Sequence, residues 1–149
     1  MELQVLVSTM YQNDHQLVKK MNIQTDAILI NQCDRNQFEE FIYEGKNIKF
    51  LSFNERGVGL SRNNALFRST SDICMMADDD MVFSDNYKDI ILNAFKIHSD
   101  ADVILFNVSI ITKNGEIKET VNNNSRIRIY NALRYGTVNI AFRREGILK

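Results

Sequence analysis

Three consecutive aspartates, Asp78, Asp79 and Asp80, are the side chains of this sequence best suited to chemistry. They follow a short apolar run at residues 73–77, which is typical of a buried strand, so the chain carries three carboxylates abruptly to a surface. Mg²⁺ and Mn²⁺ prefer such oxygen ligands and often bind one or two carboxylates together with substrate phosphates. The triplet is therefore compatible with a cation site. A solvated acidic turn is the alternative interpretation.

A glycine-containing turn with a cation behind it is the second candidate. Gly57 and Gly59 follow an apolar run, and we expect a helix to begin there, with Arg62 and Asn63 close to its start. A loop between a strand and a helix can hold phosphate. The dinucleotide-binding pattern requires a third glycine where Arg62 stands, so that interpretation is disfavoured. We expect Arg62 to contact a nucleotide or another anion, and a surface arginine is the alternative.

The elements that must position these residues alternate between strand and helix. Strands are predicted at residues 3–9, 26–30, 47–53, 72–77, 101–111 and 137–142, and helices at residues 14–21, 60–67 and 84–98. Residues 38–43 and 125–135 fit either helix or strand. Asn13 or Asp14 is expected to cap the first helix and Ser84 the third, and Asn114-Gly115 predicts a two-residue hairpin. This order predicts an α/β fold with a mostly parallel sheet flanked by helices and an antiparallel hairpin near the C-terminus.

Polar residues follow three of the predicted strands. Ser8-Thr9 ends the first strand, the segment at residues 31–36 follows the second, and the acidic triplet follows the strand at residues 72–77. Ligands of open α/β sheets bind beyond the carboxyl ends of the strands. The three clusters are therefore expected to converge on one site.

Length and composition exclude several classes of protein. The chain has 149 residues, of which 44% are apolar and 25% charged, which is ordinary for one globular domain. The formal net charge of −1 argues against an electrostatic nucleic-acid binder. No apolar stretch approaches the roughly 18 residues of a membrane span. With two cysteines and no basic leader, we expect a cytoplasmic protein with reduced thiols.

The segment at residues 57–66, followed by the strand and acidic triplet at residues 72–82, resembles glycosyltransferase family 2. The interval fits, because Arg62 stands sixteen residues before Asp78. The run at residues 5–9 is also similar to the first strand of that family. The resemblance implies the GT-A fold, with residues 1–149 forming one nucleotide-sugar-binding domain that stops before the acceptor-binding part.

The acidic triplet acquires specific roles from the resemblance. Asp78 matches the aspartate that holds the ribose of the nucleotide. Asp80 matches the aspartate that binds a divalent cation, Mn²⁺ or Mg²⁺, which bridges the diphosphate. Asp79 lies between them and is counted with the nucleotide-sugar-binding residues.

Other matches complete the implied nucleotide site. Arg62 and Asn63 match the residues that open a helix near the nucleotide. Thr9 matches the small polar residue at the end of the first strand, and Ser8 stands where the family usually has proline.

The base contact is where the sequence departs most from the family. Family members often carry an acidic pair after the second strand, where one carboxylate meets the base. Here Asn31 and Gln32 occupy that place, and Asp34 follows two residues later. An amide both donates and accepts hydrogen bonds, so Asn31 is one candidate for the base contact and Asp34 the other.

The implied function is transfer of a sugar from a UDP- or GDP-sugar donor to an acceptor hydroxyl, with inversion and a divalent cation. The acceptor would be a saccharide or a lipid-linked sugar in bacterial cell-surface polysaccharide synthesis. The protein would act in the cytoplasm or at the inner face of the membrane, as a monomer or a homo-oligomer. The general base is expected outside this chain. The alternative is a non-catalytic nucleotide-binding or partner module.

Overall fold

The computed structural model describes residues 1–119, 125–127 and 139–148. Its elements are β1 (Leu3–Met10), α1 (Gln16–Lys20), β2 (Asp26–Gln32), β3 (Gln37–Tyr43), β4 (Lys46–Phe53), α2 (Val58–Arg68), β5 (Ile73–Asp78), α3 (Tyr87–Ile97), β6 (Val103–Leu105), β7 (Ser109–Ile111), β8 (Ile117–Glu119), β9 (Ile140–Arg143) and α4 (Arg144–Ile147). The undecided segment at residues 38–43 is thus a strand. The other, at 125–135, lies outside the described residues except for 125–127, which are irregular.

Seven of the described strands form one mixed sheet in the order β3-β4-β2-β1-β5-β9-β6. The strands β4, β2, β1 and β5 pair in parallel, whereas β3 and β9 run antiparallel to their neighbours. The strands β7 and β8 form a separate antiparallel pair. The predicted α/β fold, with a mostly parallel sheet and a late antiparallel hairpin, is confirmed.

The central strands are buried on both faces, and each face packs on its own helices. Val5 and Val7 of β1 join a cluster that includes apolar residues of α1 and α3. Leu6, which points to the opposite face, joins a smaller cluster with Ala65 of α2. Burial on both faces explains why β1 and β2 are nearly continuous apolar runs, as is usual for parallel strands.

The register of the parallel strands aligns their polar carboxyl ends. Ser8 of β1 lies opposite Asp78 of β5, and Thr9 lies opposite Asn31 of β2. Asn31 in turn lies opposite Ser52 of β4. Residues from four neighbouring strands therefore form one row at the carboxyl ends of the strands. The sequence predicted this convergence for the polar clusters that follow β1, β2 and β5.

The single strand predicted at residues 101–111 is wrong, because the chain changes partner within it. The strand β6 pairs with β9, and the backbone N–H of Phe106 donates to the carbonyl of Asn139 at 2.9 Å. The chain then leaves the large sheet, and Ser109–Ile111 pairs with β8. Apolar content cannot distinguish the two pieces, since both are apolar. The last strand begins at Ile140, and residues 137–138 of its predicted range lie outside the described residues.

The hairpin predicted at Asn114-Gly115 is confirmed, with a loop longer than expected. The N–H of Thr112 donates to the carbonyl of Glu116 at 2.9 Å, and the N–H of Gly115 donates back to the carbonyl of Thr112 at 2.9 Å. Three residues, 113–115, therefore form the loop. Gly115 has a φ of +79°, the left-handed conformation that three-residue hairpins require at this position.

The predicted helix caps are corrected in detail. The third helix begins at Tyr87, with Asn86 at its N-cap position and no side-chain cap, so the expectation for Ser84 is wrong. The carbonyl of Ser84 accepts the N–H of Tyr87 at 3.2 Å, which closes a turn before the helix. At α1, the N-cap position is His15, and the Asp14 carboxylate accepts the N–H of Gln16 at 3.0 Å.

Replacing Phe95 by alanine tests how far α3 stabilises the sheet. The Phe95 side chain is fully buried in the larger core cluster. We expect the Phe95→Ala variant to lose about 3–5 kcal/mol of the free energy of unfolding, because it creates a cavity in a packed core. Urea titration measures this loss. The matched Ile97→Ala variant, at a position 75% exposed on the same helix, should change by less than about 0.5 kcal/mol. Equal losses in the two variants would contradict the packing of α3.

Candidate nucleotide-binding site

The acidic triplet forms a turn at the carboxyl end of β5. Asp78 is the last residue of the strand, and the N–H of Met81 donates to its carbonyl at 3.2 Å. The Asp78 carboxylate accepts from the guanidinium of Arg62 at 3.4 Å. The structure therefore brings together Arg62 and the first aspartate of the triplet, although sixteen residues separate them.

The three carboxylates differ in their contacts. The hydroxyl of Thr9 donates to Asp79 at 2.6 Å, which is short and typical of a charge-assisted bond. Asp80 is exposed, and within the described part of the chain its carboxylate has no hydrogen-bond or ion-pair partner. Two carboxylates of the triplet are thus held by neighbours, and the third is available to a ligand.

The chemistry of this donor set suits a cation that arrives with a substrate. Among the described residues, no group of three or more histidine, cysteine, aspartate or glutamate side chains could hold a metal ion. A divalent cation at Asp80 would therefore take its remaining ligands from phosphate oxygens and water. Mg²⁺ commonly binds in this way, through one or two carboxylates and substrate phosphates.

The glycine turn is fixed to the sheet by a buried amide. The side chain of Gln32 donates to the carbonyl of Gly57 at 3.0 Å and accepts the N–H of Gly57 at 3.1 Å. Gly57 has a φ of +120°, a conformation that residues other than glycine rarely adopt. The hydroxyl of Ser61, one turn later, bonds that of Ser8 at 2.9 Å. These contacts place the start of α2, and with it Arg62, over the end of β1.

Asn31 lies at the predicted site, but its amide is engaged within the protein. The side chain is fully buried, its oxygen accepts the N–H of Gln12 at 2.9 Å, and its nitrogen donates to the carbonyl of Gln12 and the hydroxyl of Ser52. These bonds engage both the oxygen and the nitrogen of the Asn31 amide. Asn31 fixes the loop that follows β1.

Asp34 lies on the rim of the site in a cluster that sequence reasoning missed. Its carboxylate accepts from the Arg56 guanidinium at 2.8 Å, and the same nitrogen contacts the hydroxyl of Tyr11 at 2.7 Å. The guanidinium carbon lies 5.0 Å from the centre of the Tyr11 ring. Desolvation lowers the pKa of Arg56, but the hydrogen bonds and charges of Tyr11 and Asp34 outweigh it, so the pKa is raised. The available signals were a tyrosine directly after β1 and an arginine directly before the glycine turn.

The remaining predicted residue, Asn63, is exposed on the first turns of α2. Its side chain makes no hydrogen bond or ion pair with another described residue, so no polar contact ties it to the acidic turn. Gln12, which the sequence did not single out, contacts both Thr9 and Asn31 and lies between the ends of β1 and β2.

Comparison with known protein families shows which family the chain belongs to. The family model of glycosyl transferase family 2 matches residues 6–146. The chain belongs to this family. The match includes the end of β1, the glycine turn and the acidic turn, so the resemblance drawn from the sequence is confirmed.

A search of the curated proteins finds no match to this glycosyltransferase family member. Membership indicates a glycosyltransferase, and therefore a nucleotide-sugar donor and an acceptor, without specifying either. No helix in the described ranges is both long and apolar enough to cross a membrane.

Substituting the glycine turn tests its role in placing α2. Gly57→Ala should destabilise the protein by about 1–3 kcal/mol, because its φ of +120° is strained for any side chain, although no atom lies within 4 Å of the added methyl group. Gly59→Ala is the matched control. It also has open space, its backbone is helical, and alanine there should stabilise by about 0.5–1 kcal/mol. Urea unfolding measures both, and destabilisation by Gly59→Ala alone would contradict the turn geometry.

Proposed function

We propose that this family 2 glycosyltransferase binds a nucleotide-diphosphate sugar, with its divalent cation, at the edge where β1, β2 and β5 end. The observation that carries the proposal is the division of contacts within the acidic turn. Asp78 faces Arg62, Asp79 is held by Thr9, and the exposed Asp80 has no described partner. This arrangement supplies one uncommitted carboxylate in the turn whose first aspartate pairs with a cationic side chain, and a metal–diphosphate group requires both kinds of charge.

The proposed roles follow the positions of the side chains. Asp80 would hold the cation, and Arg62 lies where its charge would favour the anionic nucleotide. Asp78, with Ser8 at the end of β1, would face the nucleoside. Asp34 is the proposed base contact, because its side chain is 84% exposed on the rim of the site even though it pairs with Arg56.

Four further predicted residues lie around this centre. Thr9 and Asp79, bonded to each other, would contribute through the geometry of the turn. Asn63 is exposed beside Arg62 and would support the nucleotide from the start of α2. Asn31 would act indirectly, through the loop that it fixes.

Sugar transfer requires stabilisation of the diphosphate that leaves the anomeric carbon. A divalent cation bound there supplies this as a Lewis acid. Arg62 adds positive charge on the side of α2, and its bond to Asp78 fixes its position before the donor binds. An acceptor hydroxyl would form the new bond to the anomeric carbon as the bond to the diphosphate breaks, with inversion, and its proton would pass to a carboxylate base. No described residue of this chain is assigned as that base.

The wider setting proposed from family resemblance is bacterial cell-surface polysaccharide synthesis. The donor would be a UDP- or GDP-sugar and the acceptor a saccharide or lipid-linked sugar. The reaction would occur in the cytoplasm or at the inner face of the membrane.

Calorimetric titration with nucleotides tests the proposal. UDP or GDP should bind in the presence of Mn²⁺ and bind at least tenfold more weakly in EDTA. The Asp80→Asn variant should lose the effect of Mn²⁺, because the substitution removes the charge of the one uncommitted carboxylate while keeping its volume.

The Asp100→Asn variant is the control, since Asp100 is exposed beyond α3 and has no described ion pair. It should bind as the parent protein does. Absence of binding by a folded parent protein, or equal Mn²⁺ dependence in Asp80→Asn, would contradict the proposal. Binding without release of nucleotide from any sugar donor would instead favour a non-catalytic module.

A further inference from the structure

We propose that Gln12 and Asn31 are positioning residues, which fix the acidic turn through a continuous chain of hydrogen bonds. Asn31 holds the main chain of Gln12, and the Gln12 side chain holds Thr9. The chain runs from β4 to the turn after β5 through Ser52, Asn31, Gln12, Thr9 and Asp79. The effect of this chain on cation binding rests on the proposed function. Its effect on the structural order of the acidic turn is independent of that function.

The first half of the chain is buried, and within it the Asn31 amide uses both its oxygen and its nitrogen. Asn31 and Ser52 are each fully buried and lie side by side on β2 and β4. The amide nitrogen of Asn31 donates to the Ser52 hydroxyl at 3.0 Å and to the carbonyl of Gln12 at 3.0 Å. The Asn31 oxygen accepts the N–H of Gln12 at 2.9 Å. Both backbone groups of Gln12 are therefore attached to the sheet, which sets the direction of its side chain.

The second half of the chain has only one possible proton arrangement. The Asp79 carboxylate accepts and does not donate, so the single hydroxyl proton of Thr9 must point to it across 2.6 Å. The Thr9 oxygen then accepts from the amide nitrogen of Gln12 at 3.0 Å. Thr9 is 4% exposed, so water has little access to this bond. Asp79 is consequently tied to the interior although the residue itself is exposed.

The benefit of this chain is preorganisation of three mutually repelling carboxylates. With Asp78 facing Arg62 and Asp79 held by Thr9, the residues before Asp80 are anchored before any cation arrives. A ligand that meets an ordered turn does not have to supply the free energy of ordering it, and so binds more tightly. Thr9 therefore acts through Asp79, and Gln12 and Asn31 act through Thr9.

Two substitutions of Thr9 separate the hydroxyl from the packing. Thr9→Val keeps the shape and removes the donor, whereas Thr9→Ser keeps the donor. We expect Thr9→Val to speed amide hydrogen exchange at residues 79–81, and to weaken Mn²⁺-dependent UDP or GDP binding about tenfold, as the loss of one charge-assisted hydrogen bond predicts. Thr9→Ser should leave both quantities within about twofold.

Replacing Gln12 by glutamate tests the order of donors and acceptors in these hydrogen bonds. In Gln12→Glu the side chain can only accept, so it competes with Asp79 for the Thr9 proton, and the backbone bonds to Asn31 remain possible. This variant should resemble Thr9→Val in exchange and in binding. Gln16→Glu is the matched control, because Gln16 is exposed at the start of α1 and adds the same charge outside the chain.

The outcomes distinguish the two proposals. Unchanged exchange and binding in Thr9→Val, or equal changes in Thr9→Val and Thr9→Ser, would overturn the positioning role. The positioning role is supported if amide exchange is faster in Thr9→Val and Gln12→Glu but not in Thr9→Ser and Gln16→Glu. If the parent protein binds no nucleotide with Mn²⁺, the proposed function fails, and amide exchange still decides the positioning role.

Discussion

The structure depends on the register in which β1 pairs with β2 and β5. Side chains of a strand alternate between faces, so a slip of one residue would exchange the two faces of β1 and turn Gln4 and Ser8 toward the larger apolar cluster. Because Val5, Leu6 and Val7 are buried against two separate clusters, such a slip is strongly disfavoured. The same register sets Ser8 opposite Asp78 and Thr9 opposite Asn31. Packing of the core therefore determines the geometry of the polar edge.

Electrostatics at that edge follow from which side chains the protein places beside the acidic turn. Three adjacent carboxylates repel each other, and here a guanidinium and a hydroxyl offset two of them. The amides Asn31 and Gln32 stand where family members often have acids, and both are buried. They add no further negative charge, and they attach the β1 loop and the glycine turn to β2. Neutral amides at these two positions therefore leave the acidic turn and Asp34, which pairs with Arg56, as the carboxylates assigned to the proposed site at the strand ends.

Sequence patterns predicted the elements that bury apolar surface and the residues that end them. The strands at residues 3–9 and 47–53, the helix at 60–67 and the acidic turn are present because their apolar spacing leaves few alternatives. The pattern could not show that the run at residues 101–111 changes partner, because both parts are apolar. It also could not show that Asn31 faces inward, since an amide suits a ligand and a loop equally well.

The cluster of Tyr11, Asp34 and Arg56 shows a second kind of contact that sequence patterns could not predict. Its members come from three separate loops, so only the folded arrangement of strand ends reveals the contact. Arg62 and Asp78 were each assigned to the nucleotide site from the sequence, through a family pattern. No such pattern pointed to Arg56 or Gln12, whose partners come from distant parts of the sequence or from neighbouring strand ends.

The most direct test of the central claim is paramagnetic broadening by Mn²⁺ in the ¹⁵N-labelled protein with UDP or GDP. Amide signals of residues 9–12 and 78–81 should broaden first, because the proposed cation lies against Asp80. Signals of Leu3 and Ile73, at the opposite ends of β1 and β5, should persist. Broadening centred elsewhere, or none at a Mn²⁺ concentration that saturates nucleotide binding, would contradict a nucleotide–metal site at this edge of the sheet.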